Sequence, residues 1–190
     1  MKIPCLILTL LISQLSFAQN DYNYPISKET GKITYEKALQ ASGKKELLFK
    51  RVKQFLALQD YGRVVMMTTH SGKQLNSSII KQPITYEDVE EGKIFGNGFL
   101  PFQYRGHDYF FIFFKYKIYV NDNEYRYAFT DFVVYEVMDP GFGSDRRTES
   151  KNFPLEEFVD RRVYDRSHPI FVQRIKDLKH QLRLAIDGNL

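Results

Sequence analysis

Cysteine is almost absent from this chain, since the one cysteine among its 190 residues is Cys5. Cys5 lies in an N-terminal segment that we predict to be removed. A mature chain without cysteine has no disulfide, no thiolate metal ligand and no cysteine nucleophile, so packing alone must stabilise it. An exported protein of this kind is more typical of a bacterial periplasm than of small secreted eukaryotic domains, which are usually rich in disulfides.

A concentrated charge of one sign is also missing. The chain carries 27 basic and 23 acidic side chains, and Lys2 is the one charged residue of the first 18, which leaves a formal charge of +3 on the other 172 residues. Basic and acidic residues alternate along most segments, whereas nucleic-acid-binding domains usually collect positive charge in a stripe. The composition therefore argues against a nucleic-acid partner, and the length suits one domain with a modest core.

No apolar run long enough to span a bilayer follows the N-terminal segment. The strongest candidate, Tyr109 to Val120, is shorter than the roughly 20 residues that a spanning helix needs. It is also interrupted by Lys115 and Lys117. The sequence therefore predicts no transmembrane segment in the mature protein.

Residues 1–18 have the three parts of a secretory signal peptide. Lys2 supplies a positive charge, an apolar run extends from Ile3 to Leu15, and Ser16-Phe17-Ala18 places small residues at the −3 and −1 positions of a cleavage site. A retained membrane anchor is the alternative, but the apolar run is too short for one. We predict cleavage between Ala18 and Gln19, with export to the periplasm or outer envelope of a Gram-negative bacterium, or secretion.

The first part of the mature chain predicts one strand and one helix. Residues 19–30 are polar and aperiodic, which predicts a flexible N-terminus. Alternation over 31–40 predicts a strand, and a helical repeat of apolar residues predicts a helix over 44–59. Ser42 is the expected N-cap, and Gly62 is the expected left-handed residue beyond the helix.

The middle of the chain predicts further strands. Residues 63–70 are rich in Val, Met and Thr, which fit a pleated sheet. Residues 71–92 are polar and predict a loop with one short irregular strand near Ile79 and Ile80. Residues 93–104 predict a strand in which Gly96 and Gly98 indicate bulges or an edge position.

The strongest structural signal is a long antiparallel hairpin over Tyr109 to Val137, which holds 12 of the 29 Phe and Tyr residues. Its turn is Asn121-Asp122-Asn123-Glu124, because Asp and Asn tolerate the positive φ of a tight turn. Strict alternation would place one set of apolar residues on the buried side of the second strand: Tyr125, Tyr127, Phe129, Val133, Tyr135 and Val137.

The end of the chain predicts helices. Turn residues over 139–144 end the sheet, and the sequence then predicts a short helix over 155–163 and a longer one from His168 to about Ile186. The fold class is therefore α+β, with an antiparallel sheet of about five strands and helices on one face. We assign the main domain to residues 31–137 and a helical extension packed on it to 138–190.

Three segments resemble a known family: Gly31-Lys32-Ile33-Thr34-Tyr35-Glu36, Lys45-Glu46-Leu47-Leu48-Phe49-Lys50-Arg51, and Lys117-Ile118-Tyr119-Val120-Asn121-Asp122-Asn123-Glu124-Tyr125-Arg126-Tyr127. Together they resemble an exported bacterial domain family of unknown function with a TATA-binding-protein-like fold, common in envelope proteins of the Bacteroidetes. The resemblance covers about residues 31–137 and implies the order strand, helix, strands, helix. It implies no catalytic residue, and Asp122-Asn123 stands where the family usually has Asp-Gly.

No residue pattern predicts a catalytic, metal or cofactor site. The mature sequence lacks a Gly-x-Ser-x-Gly elbow, a phosphate-binding glycine loop and a calcium loop. His70, His107, His168 and His180 lack the spacing of converging metal ligands, so we interpret them as surface or capping residues.

Three hypotheses for function follow. The first is a non-catalytic exported domain that binds an envelope protein or a small ligand. The second is a carboxylate-based hydrolase using acids such as Glu87, Asp88 or Asp108, because paired carboxylates serve as acid and base. The third is nucleic-acid binding by fold analogy. Tyr125-Arg126-Tyr127 has the alternation of a stacking surface, but a strand would direct both tyrosines to the core and Arg126 to solvent.

Overall fold

The computed structural model describes residues 24–59, 65–68, 74–77, 83–104, 108–138, 149–159 and 167–189. Within these ranges the chain forms eight strands and three helices. In chain order they are β1 (Tyr35–Gln40), α1 (Lys45–Leu58), β2 (Val65–Thr68), β3 (Gln74–Ser77), β4 (Ile84–Asp88), β5 (Lys93–Tyr104), β6 (Asp108–Asn121), β7 (Glu124–Met138), β8 (Glu149–Pro154), α2 (Leu155–Val159) and α3 (His168–Asp187).

Six of the strands form one antiparallel sheet in the order β1-β7-β6-β5-β4, with β8 also paired to β7. β1 pairs with β7 from Glu124 to Phe129, and β8 pairs with β7 from Val133 to Met138. Within the described ranges, β2 and β3 pair with each other and form a separate two-stranded sheet. The α+β class with an antiparallel sheet is confirmed, and the sheet has six strands rather than about five.

Three strands go beyond the sequence prediction. Residues 71–92, predicted as a loop with one short strand, contain both β3 and β4, and the predicted helical extension contributes β8 to the sheet. The sequences of β4 and β8 are ITYED and ESKNFP, which are too polar to show a buried face. Such segments form strands because a neighbouring strand supplies the hydrogen bonds, and the side-chain pattern does not record that tertiary effect.

The glycines of β5 make room for aromatic rings. β5 pairs with β6 in continuous register, and Gly96 and Gly98 lie opposite Tyr116 and Phe114. A Cβ atom at either glycine would overlap the ring opposite it. The predicted edge position is wrong, because β5 lies between β4 and β6. The predicted irregularity occurs in the pairing with β4, where the register shifts after Ile84.

A bulge in β7 changes which side chains face the core. The pairing of β6 with β7 shifts between Phe113 and Lys115, and Asp131 has a φ of 52°. Before this bulge Tyr125, Tyr127 and Phe129 are buried, as predicted, but after it Phe132 and Val134 are buried instead. The expectation that Val133 and Tyr135 continue the buried side is therefore wrong, since one extra residue reverses the alternation, and the side chain of Val137 lies outside the described residues.

The helices pack on one face of the sheet. Apolar residues of α1, α2 and α3 form a single core cluster with the inward-facing residues of β5, β6 and β7. α3 agrees with its predicted bounds and ends at Gly188, which has a φ of 81°. The contributions from α1 and α3 are Leu48, Phe49, Val52, Phe55, Leu56, Phe171, Ile175, Leu178, Leu182, Ala185 and Ile186. The predicted Gly62 end of α1, the remainder of the predicted helix over 155–163, and the predicted turn over 139–144 lie outside the described residues.

The start of α1 is capped by the β6–β7 turn. The N-cap position is Lys44, which makes no side-chain cap, so the predicted Ser42 cap is wrong. Instead, the Lys45 N–H donates a hydrogen bond of 2.8 Å to Asp122 Oδ1, and the Gly43 N–H donates one of 3.2 Å to Asn123 Oδ1. A carboxylate at this position also interacts favourably with the helix dipole.

Residues 24–30 pack on the domain, in contrast to the predicted flexibility of 19–30. Tyr24 is buried, its ring stacks on Phe171, and Ile26 forms a β-bridge with Ile33. The Tyr24 hydroxyl lies 2.7 Å from His168 Nδ1. His168 is fully buried, so its interpretation as a surface or capping residue is wrong, because the N-terminal segment covers it.

Candidate functional site

The face of the sheet opposite the core cluster is the candidate site. On β5 and β6 it is formed by the side chains that alternate with the buried ones, and we call it the helix-free face because the three described helices pack on the other side. Its central residues are Lys93, Phe95, Asn97, Phe99, Phe113, Lys115, Lys117 and Tyr119, all of which are exposed or half-buried.

One end of the helix-free face carries Tyr86, Phe95 and Tyr119, which we call the aromatic triad. The three rings lie on β4, β5 and β6, and neighbouring ring centroids are 5.4 Å and 5.5 Å apart. Tyr86 is 47% exposed. Because rings on three adjacent strands touch one another, they form one continuous apolar patch beside solvent.

The other end carries a second aromatic patch made of Phe99, Phe111, Phe113 and Tyr135. Phe99 lies 5.6 Å from Phe111 and 5.5 Å from Phe113, and Phe113 lies 5.9 Å from Tyr135. Phe111 is buried, whereas the other three rings are half-buried. This patch is therefore the less accessible of the two.

A polar strip separates the two patches. Asn97 and Lys115 are opposite each other on β5 and β6, and Lys115 Nζ lies 3.0 Å from Asp131 on the bulge of β7. Lys32 also binds Asp131. These contacts lower the pKa of Asp131 and keep it ionised at neutral pH. The hydrogen bond from Lys32 makes the largest contribution. Lys115 and Lys32 are thus already paired with a carboxylate of the protein.

Cations also surround the aromatic triad. Lys93 pairs with Glu91 at 3.2 Å, and Arg126 pairs with Glu36 at 3.0 Å. Lys117 is exposed and makes no ion pair or hydrogen bond within the described ranges. Since Lys117 pairs with Phe95 across the strands, an uncompensated ammonium stands directly beside the triad.

The acidic residues proposed as a hydrolytic pair do not converge. Glu87 Oε2 lies 2.9 Å from Lys53 of α1, on the core side, whereas Asp88 accepts a hydrogen bond from the Tyr86 hydroxyl at 3.2 Å. The Glu91 N–H also donates a hydrogen bond to Asp88, and this bond is the main cause of the lowered pKa of Asp88. Asp108 begins β6 beside the far end of β5, about 36 Å along the strand at about 3.3 Å per residue. Glycosidase carboxylates stand within about 10 Å of each other, so Asp108 cannot pair with Glu87 or Asp88. Glu87 and Asp88 are consecutive in β4 and point to opposite faces of the sheet, so they do not face a common cleft.

The two histidines within the described residues also remain apart. His70 and His107 lie outside the described residues, His168 is buried at the start of α3, and His180 is exposed on the same helix. Twelve residues of helix separate His168 from His180 by about 18 Å. Within the described ranges, no group of three or more His, Cys, Asp or Glu residues is arranged to hold a metal ion.

The Tyr125-Arg126-Tyr127 segment agrees with its sequence interpretation. Both tyrosines are buried and Arg126 is exposed, so the two rings cannot stack with a nucleic acid on the helix-free face. Burial raises the pKa of Tyr125 to about 12. The aromatic triad, in contrast, is missing from the sequence prediction, because its members lie on three strands and one of them is β4.

The cleavage site between Ala18 and Gln19 lies outside the described residues. Among the described helices, none is long and apolar enough to cross a membrane. The candidate site itself consists of two aromatic patches and a lysine-containing strip on one face of the sheet.

Solved structures of two Bacteroidetes proteins have a similar fold. One is a TBP-like protein from Parabacteroides distasonis ATCC 8503, with a TM-score of 0.56, 17% identity, and coverage of 86% of this chain and 96% of that chain. The other is a DUF4468 family protein from Bacteroides ovatus ATCC 8483, with a TM-score of 0.53, 10% identity, and coverage of 86% and 90%. No protein-family model and no curated protein matches the sequence. The expected TATA-binding-protein-like fold is confirmed.

Proposed function

We propose that the chain is a non-catalytic binding domain of the Gram-negative cell envelope, and that its helix-free face holds a protein partner. One observation carries the proposal: the exposed aromatic triad lies beside Lys117, whose charge is not compensated within the described ranges. Exposed aromatic rings are typical of interface centres, where aromatic side chains supply much of the binding free energy, and a nearby charge adds specificity.

The chemistry of the face defines the partner. The rings of the triad accept aliphatic side chains, and Lys117 accepts a carboxylate, so we expect a polypeptide segment that carries both. A nucleic acid suits the face less well, because Asp88, Asp131 and Glu36 lie among the cations and would repel phosphates. Interleaved charges of both signs favour a protein partner.

Export is part of the same proposal. The expected signal peptide over residues 1–18 would deliver the mature chain to the periplasm or outer envelope, where few nucleic acids are available. Intact mass measurement of the protein recovered from a periplasmic extract tests this point. The expected mature N-terminus is Gln19, and recovery of the uncleaved chain in the cytoplasmic fraction would contradict export.

Amide NMR titrations of the isotope-labelled mature chain test the binding surface. The probes are an acidic Leu-Glu peptide, the same peptide with Lys in place of Glu, and a single-stranded oligothymidylate. We expect the acidic peptide alone to shift the amides of Phe95, Lys117 and Tyr119. Lys117→Glu should weaken this binding by about tenfold or more, whereas Lys50→Glu, the same change on the exposed side of α1, should not.

Two results would contradict the proposed function. If the oligothymidylate shifts these amides more than the acidic peptide does, the face binds nucleic acid. If the acidic peptide shifts no amide of the face, or shifts α1 and α3 equally, the helix-free face is not its binding surface.

A further inference from the structure

A basic groove lies at the β1 edge of the domain, and its lining includes Arg126, which pairs across the strands with Tyr119 of the aromatic triad. It has a volume of about 710 Å³ and runs between the turn over 25–29, strand β1 and helix α3. The cations that line it come from all three elements and from the adjacent strand β7: Lys28, Lys37, Arg126 and Lys179. The groove is large enough for a small organic ligand.

The positive charge of this groove is only partly compensated. Glu36 lines the groove but is paired with Arg126 at 3.0 Å, which leaves Glu29 as the other lining carboxylate. Lys28 and Lys37 make no ion pair or hydrogen bond in the part of the chain that the structure describes. The lining of the groove therefore carries more positive than negative side chains.

Lys179 is the most constrained of these cations. Its Nζ lies 5.3 Å from the centroid of the Tyr35 ring, and the side chain is half-buried. Burial is the main cause that lowers the pKa of Lys179, and the charges of Lys176 and Lys37 lower it further. Lysines that repel one another across a groove bind an anion favourably, because the anion removes the repulsion.

We propose that the β1-edge groove binds a ligand that carries phosphate groups, held by the lining residues Lys28, Lys37 and Lys179. Several lysines suit a group of charge −2 better than a single carboxylate, because each contributes one ammonium as a point charge. The Tyr35 ring and the exposed side chain of Ile26 provide apolar contact for the body of the ligand. Lys37 and Lys179 do not belong to the helix-free face, so this inference does not depend on the proposed function.

The phosphate group has two possible sources in an envelope, a free phosphate ester and a lipid headgroup. Inorganic pyrophosphate represents the first source. Vesicles of phosphatidylglycerol represent the second, with phosphatidylcholine vesicles as the uncharged reference. Binding of either anionic probe at the groove supports the proposal and identifies the source.

Lysine side-chain NMR of the mature chain measures binding at the groove directly. We expect pyrophosphate or phosphatidylglycerol to move the Cε resonance of Lys179 and to raise its pKa. Lys179→Gln and Lys37→Gln should each weaken binding by about tenfold, the effect of losing one charge-assisted hydrogen bond. Lys37 is exposed, so Lys37→Gln should keep the fold. It therefore tests the groove even if substitution of the half-buried Lys179 disturbs folding.

Arg174→Gln is the matched control. Arg174 is exposed on α3, five residues before the groove residue Lys179 and so turned by about 140° from it around the helix axis. The Arg174→Gln substitution also removes one positive charge, but outside the groove. Screening should limit its effect on anion binding to about twofold at physiological salt. Equal weakening by Arg174→Gln and Lys37→Gln, or no change at Lys179 with either probe, would overturn the proposal.

Discussion

The contact between Asp122 and the start of α1 predicts that Asp122→Ala destabilises the protein and that Ser42→Ala does not. Asp122 Oδ1 accepts the Lys45 N–H at 2.8 Å, whereas no side-chain cap comes from the residue at the N-cap. Loss of a capping oxygen costs about 1 kcal/mol, and loss of a carboxylate near a helix N-terminus costs about 0.5 kcal/mol more. The expected loss is therefore about 1.5 kcal/mol of unfolding free energy, or about 3–6 °C in Tm.

Thermal and urea denaturation of the mature chain, followed by circular dichroism, measure this loss. Asp122→Asn retains an acceptor oxygen without the charge, so it should lose about a third as much stability as Asp122→Ala. Asn121→Ala changes the same turn at an exposed residue and controls for disturbance of the hairpin. If Ser42→Ala lowers Tm as much as Asp122→Ala, or if Asn121→Ala does, the cap is not supplied by Asp122.

Three further predictions concern stability. Gly98→Ala should cost about 1–3 kcal/mol in urea unfolding, because the new Cβ overlaps the ring of Phe114; a neutral result would mean that the ring moves freely. Tyr24→Phe should cost about 1 kcal/mol by losing the hydrogen bond with His168, and an unchanged midpoint would contradict that contact. Asp131 has a lowered folded pKa, so its contribution is complete above the unfolded carboxyl pKa and is lost as the pH falls through the folded value. Asp131→Asn should therefore flatten acid unfolding below the unfolded Asp pKa of about 3.9, and an unchanged acid-unfolding curve for the variant would exclude the effect.

Much of the fold is predictable because it depends on local periodicity. The hairpin of β6 and β7 and the helix α3 have long stretches of regular alternation or helical repeat, and both form as predicted. The bulge at Asp131 is different, because a residue with a φ of 52° is not specified by hydrophobic pattern. One such residue is enough to exchange Val133 for Phe132 in the core.

The candidate site is less predictable because it is assembled across strands. Phe95 and Tyr119 face away from the core, where an aromatic residue has no local signature, and Tyr86 belongs to a strand whose sequence resembles a loop. The basic groove is similarly non-local, since Lys37 and Lys179 are brought together by packing of α3 beside β1. His168 shows the same effect in the core, where Tyr24 covers it.

The cap of α1 by Asp122 has a consequence for the order of folding. Asp122 and Lys45, which form the cap, are 77 positions apart, and β1 pairs only with β7 in the described sheet. A 14-residue helix is marginal by itself in water, and contacts of such long sequence separation slow folding. We therefore expect the N-terminal third of the chain to stay without stable structure until residues 122–129 are available. Under the proposed export, this N-terminal third would still be unfolded when it reached a membrane pore.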